Sequence, residues 1–96
     1  MENKIVVQVD FYATIQRIFG SRSMRFDLYP ATTVRQLLVR LCTTDHQRKS
    51  IFQSAETLRK DVTVFRNGRN IIFLNGLDTQ LHGEDVIAIF PPVAGG

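Results

Sequence analysis

The first clear pattern along the chain is strict alternation. Ile5, Val7, Val9 and Phe11 fall on one side and Val6, Gln8, Asp10 and Tyr12 on the other, so period two with β-branched residues predicts a strand with one face on a core. Thr14 to Phe19, stopped by Gly20, is too short for a free-standing helix and reads as a helical turn or wide loop. Met24, Phe26 and Leu28 alternate again and predict a second strand, ended by Pro30. The period then changes. Val34, Leu37, Leu38 and Leu41 stand at i, i+3, i+4 and i+7, one apolar stripe of a helix. Thr33 with Gln36 has the form of a capping box at its start.

The stretch Thr43 to Lys60 is polar, with a second short helix expected over Ser50–Leu58, where Ile51, Phe52, Ala55 and Leu58 share a face. Val62 to Phe65 reads as a strand entering a hairpin at Asn67-Gly68, the dipeptide best suited to two positive φ angles. Asn70 to Leu74 is expected to return, Asn75-Gly76 to turn, and Leu77 to Leu81 to cross over. After the turn His82-Gly83-Glu84-Asp85, the run Val86 to Phe90 is apolar at every position, as in a central strand covered on both faces. Two strands, a helix and further strands, with the last in the middle, predict an α+β fold. It is a β-grasp (ubiquitin-like) roll, a mixed sheet packed over one main helix. If the first and last strands are central neighbours, they run parallel.

Length and composition add bounds. The 96 residues suit one modest core: a single domain over 1–90, followed by an extended tail over 91–96. No apolar run approaches the ~18–20 residues that span a bilayer, and the polar start Met1-Glu2-Asn3-Lys4 is no signal peptide, so no membrane partner and a cytoplasmic location are expected. The single cysteine, Cys42, excludes an intrachain disulfide and fits a reducing compartment. A net charge of +3 with scattered arginines is a mild excess. It suits acidic protein partners better than nucleic acid, which calls for a basic stripe with stacking aromatics.

The candidate chemistry lies in the last residues, Phe90-Pro91-Pro92-Val93-Ala94-Gly95-Gly96. Two consecutive glycines arise at given positions by chance in about 0.5% of chains. They form a strip without side chains that threads a groove any Cβ would block. Pro91 and Pro92 cannot continue a ladder and prefer extended geometry, so they stiffen the exit from the sheet. The four residues beyond them reach about 13 Å. Gly95 and Ala94 are therefore read as the threading segment and the carboxylate of Gly96 as the working group. A bare carboxylate is a poor electrophile. It must be activated, most simply as an acyl-adenylate, and then accept sulfur as a thiocarboxylate or pass its acyl group to an amine. Either way the chain is a carried substrate and not an enzyme.

Gly83-Glu84-Asp85, the apolar strand and Phe90-Pro91-Pro92-Val93-Ala94-Gly95-Gly96 resemble the end of the small subunit of molybdopterin synthase, within the MoaD/ThiS-like ubiquitin-like sulfur carriers. The Glu84-Asp85 order is a close variant of that family's turn. Asn67-Gly68-Arg69-Asn70-Ile71 and Leu74-Asn75-Gly76-Leu77-Asp78-Thr79 resemble its archaeal branch, some members of which are small modifier proteins. The opening strand fits loosely, and Thr43 to Lys60 matches by length alone. The resemblance implies that a ubiquitin-activating-type enzyme adenylates Gly96 with ATP and that a thiocarboxylate follows. The tail would then enter the large synthase subunit and donate sulfur in molybdenum cofactor biosynthesis. No cofactor would be bound. The alternative it implies is conjugation through Gly96 to lysines of target proteins. Partner contact is assigned to Phe90, Pro91, Pro92 and Val93; Phe90 suits core packing equally, whereas Val93, beyond the strand, suits contact.

Other chemistry-bearing residues read as structural. Cys42 beside the apolar stripe, without a basic cluster, is a small buried hydrophobe. His46 and His82 lack the spacing of a metal site or catalytic pair and read as loop residues. Glu84-Asp85 is too little for a calcium loop and is explained by turn chemistry, so no metal is expected. Lys4, Lys49 and Lys60 are the only lysines that could accept the chain itself.

Overall fold

The computed structural model describes residues 3–92. The alternating opening segment forms β1 (Ile5–Phe11), helix α1 (Ala13–Phe19) follows, and β2 (Ser23–Leu28) returns antiparallel to β1. Register pairs Ile5 with Leu28, Val7 with Phe26 and Val9 with Met24, so the apolar sets of both strands share the inner face. Helix α2 (Val34–Leu41) lays Val34, Leu37, Leu38 and Leu41 into the core. Its Thr33–Gln36 capping box forms as expected: the Thr33 Oγ1 accepts from the Gln36 N–H at 3.3 Å, and the Gln36 Oε1 accepts from the Thr33 N–H at 2.9 Å.

Strands β5 (Thr63–Arg66) and β6 (Arg69–Asn70) make the Asn67-Gly68 hairpin, with φ of 50° and 84° at the two turn residues. Strand β7 (Val86–Phe90) lies between β1 and β5, parallel to β1 and antiparallel to β5, giving a five-stranded sheet of order β2-β1-β7-β5-β6. A hairpin, a helix across it and a closing parallel strand at the centre make the β-grasp fold.

Four local expectations change. The segment after β1 takes the helical of its two readings, lengthened to a seven-residue helix. Gly20 ends it with a φ of 69° and donates its N–H to the Gln16 carbonyl, while Ile15 and Phe19 are buried and Phe19 stacks on Phe11 at 4.7 Å. The second expected helix starts earlier. Thr44 caps the N–H of Gln47, giving α3 (Asp45–Ile51) and placing His46 on a helix, and Phe52 leaves in extended conformation. Strands β3 (Phe52–Ser54) and β4 (Thr57–Leu58) then form a small hairpin instead of more helix. The return strand stops after two residues, because the Asn70 side chain accepts from the Ile72 N–H and bends Ile71–Phe73 into a 3₁₀ turn.

The fourth change concerns β7. It is central, but covered on one face only. Ile87 and Ile89 are fully buried, whereas Val86, Ala88 and Phe90 are part-exposed on the outer face, opposite the helices. Three helices thus share the inner face, with α2 supplying the main stripe.

Candidate functional site

The outer face of the sheet and the end of β7 build the site. Register places Gln8 beside Val86, Asp10 beside Ala88, Phe65 beside Ala88 and Thr63 beside Phe90. Toward the C-terminal end of β7 this face is aromatic. Tyr12 stacks on Phe90 with ring centroids 4.4 Å apart and an interplanar angle of 12°, and Phe65 meets Phe90 edge to face at 5.4 Å. The Tyr12 N–H donates to the Ile89 carbonyl at 3.2 Å, so the backbone holds the pair in place. Tyr12 is 41% exposed. Toward β2 the same face is polar: the Asp10 Oδ1 accepts from Gln8 and Ser23 at 2.8 and 3.0 Å.

Phe90 therefore lies outside the buried core, and its neighbours are the aromatic residues of the open face. Pro91 is half-buried and Pro92 exposed where the chain leaves the sheet. Val93, Ala94, Gly95 and Gly96 lie outside the described residues.

The opposite end of β7 is clamped. The buried Asp85 accepts from the Arg66 Nε at 2.8 Å, the His82 N–H at 2.7 Å and the Asn67 Nδ2 at 2.8 Å. Asn67 in turn accepts from the Val86 N–H and donates its own N–H to the Val86 carbonyl, both at 2.8 Å. Burial by itself would raise the Asp85 carboxyl; the hydrogen bonds from Arg66, His82 and Asn67 outweigh it and hold the group below the usual carboxylate range. The hairpin turn, the Gly83–Asp85 turn and β7 are thus one bonded unit that fixes the strand from which the tail departs.

Cys42 caps the end of α2 and is buried, and burial pushes its thiol up to about 11. It is a packing residue, not a nucleophile. His46 and His82 are exposed, the first on α3 and the second in the turn before β7. Among the described residues, no three His, Cys, Asp or Glu side chains gather as metal ligands.

Reading the sequence as a tail motif passed over Tyr12 and Phe65. Tyr12 carried a signal, since it stands in the outward set of the first alternation. Its pairing with Phe90 depends on the parallel register of β1 and β7.

The chain is similar to known proteins in sequence and fold. The model of the ThiS family matches residues 9–96. The chain belongs to the ThiS family. It is 31% identical over 91 residues to small archaeal modifier protein 3 of Haloferax volcanii, covering 94% of this chain and 98% of that one. The crystal structure of small archaeal modifier protein 1 from Haloferax volcanii superposes with a TM-score of 0.81 at 28% identity, over 95% of this chain and 99% of that chain. The solution structure of the corresponding protein from Methanosarcina acetivorans gives the same TM-score of 0.81 and 28% identity, over 97% and 98% of the two chains. This ThiS-family chain is thus a ubiquitin-like protein of the sulfur-carrier and small-modifier kind.

Proposed function

We propose that this protein is a ubiquitin-like sulfur carrier for molybdopterin synthesis, working in the cytoplasm through the carboxylate of Gly96. One observation carries the reading: Phe90, the last residue of the central strand, lies in an open aromatic face and is followed at once by Pro91-Pro92. The face offers a partner an apolar anchor at the root of the tail, and the prolines carry the chain away from it.

In this reading the Gly96 carboxylate attacks the α-phosphate of ATP on a ubiquitin-activating-type enzyme, and pyrophosphate leaves. A sulfur nucleophile then displaces AMP, leaving a thiocarboxylate. Gly95 and Ala94 thread the narrow groove, while Phe90, Pro91, Pro92 and Val93 contact the partner. The large subunit of molybdopterin synthase would receive the sulfur. The chain supplies no catalytic residue.

The similarity to small archaeal modifier protein 3 supports a second reading, in which the adenylated Gly96 acyl group passes to a lysine amine of a target protein, AMP leaves and an isopeptide forms. Intact mass spectrometry of the protein from its own cells, beside a blot for high-mass conjugates, separates the two. Sulfur carriage predicts exchange of one terminal oxygen for sulfur and loss of transfer on deleting Gly95 and Gly96; transfer by the truncated chain would falsify it. Conjugation predicts high-mass species lost with the same deletion. No lysine or arginine follows Arg69, so a tryptic conjugate carries all of Asn70–Gly96 and escapes a search for a Gly-Gly remnant.

A further inference from the structure

The topology brings one end of four strands together. β1 and β7 are parallel and finish at the same end, β2 begins there beside Asp10, and β5 begins there with Thr63 opposite Phe90. Helix α1 bridges β1 and β2, α3 packs on α1, and the turn Arg59–Asp61 leads into β5. This is the end from which Pro91 and Pro92 leave the sheet.

Basic residues gather on these elements. Arg17 lies on α1 and Arg22 follows it, Arg48 and Lys49 lie on α3, and Arg59 and Lys60 occupy the turn. Among the described residues, the acids nearest these cations are engaged: Glu56, which lines one pocket with Arg48, pairs with Arg35. Asp10 accepts from Gln8 and Ser23, Asp45 pairs with Arg48 at 2.7 Å, and Asp61 pairs with Arg59 at 2.9 Å. Arg17, Arg22, Lys49 and Lys60 are exposed, and among the described residues none has a carboxylate in ion-pair reach. Arg17 and Arg22 line one shallow notch with Gly20 between them.

We infer that this basic collar docks on an acidic protein surface surrounding the groove that takes the tail. The inference rests on the proposed function, since only a chain whose tail is threaded has use for a steering field at this end. Four solvated cations, none with an ion-pair partner among the described residues, add little contact energy at the end where the tail leaves. They raise the rate of encounter and orient the tail toward the groove, an effect that salt removes. A nucleic-acid partner is disfavoured because the adjacent aromatic rings, Tyr12 and Phe90, stack on each other.

The test is ATP-dependent adenylation of the full chain by the activating enzyme purified from the same cells, at low and high salt. The expected result is that kcat/KM falls on the order of tenfold or more with salt, and similarly in Arg17→Glu/Arg22→Glu and in Lys49→Glu/Lys60→Glu, with kcat unchanged. Arg69→Glu, on β6 at the far side of the sheet, should match the wild type. These side chains are exposed, and circular dichroism of each variant verifies the fold. Adenylation that ignores salt and both double variants overturns the collar alone. No adenylation of the wild-type chain overturns the proposed function and the collar with it. Tight binding of a labelled RNA, lost in the double variants, overturns the protein partner in favour of nucleic acid.

Discussion

Asp85 shows how a single residue can organise the root of the tail. Its carboxylate satisfies three donors, so removing it leaves the partly buried Arg66 Nε, the His82 N–H and the Asn67 Nδ2 without that acceptor. Asp85→Ala should therefore lower stability by about 2–4 kcal/mol in urea unfolding. The folded-state group is held below its usual range, so its contribution is present above the unfolded value of about 3.9 and is lost as pH falls through the lower folded value. The wild type should lose stability more steeply than Asp85→Asn as pH falls below about 4, measured by urea unfolding along a descending pH series. Cys42, buried with its thiol raised to about 11, should stay unmodified by iodoacetamide at neutral pH until the chain is unfolded. Its burial was legible from its place beside the apolar stripe. The role of Asp85 was not, because turn chemistry accounts for an acid there without revealing that Arg66, nineteen positions earlier, would reach it.

At the scale of elements, the segments with strong local signals came out as read. The α2 stripe and its capping box are complete, and Leu38 has no exposed surface. Leu38→Ala should cost about 2–5 kcal/mol, through lost burial and a residual cavity. Gly20→Ala should cost only about 1 kcal/mol, since open space surrounds the added Cβ and the penalty is the positive φ alone. Guanidinium unfolding of the two variants measures the contrast. Weak local signals misled where a side chain competed with the backbone. Thr44 moved the start of α3 forward, and Asn70 cut the return strand to two residues. Apolar residues at every position of β7 suggested cover on both faces, yet hydrophobicity alone cannot distinguish a second core from a surface kept open.

For the whole molecule, the open aromatic face should matter to partners more than to folding. Tyr12→Glu replaces an exposed ring, and its stability should change by less than about 1 kcal/mol. Acceptance of the tail by the activating enzyme should fall at least about tenfold, read from adenylation rates. An unchanged rate would remove Tyr12 from the contact surface. The sequence by itself determined the fold class, the capped helix, the hairpin at Asn67-Gly68 and the tail motif, because period, caps and turn residues act over a few neighbouring positions. Tertiary structure alone decided that Tyr12 stacks on Phe90, that Asp85 gathers Arg66 and Asn67, and that exposed cations lie around the end where the tail begins. Each of those depends on the parallel pairing of β1 with β7 or on strand register, which join residues some twenty to eighty positions apart that no local pattern connects.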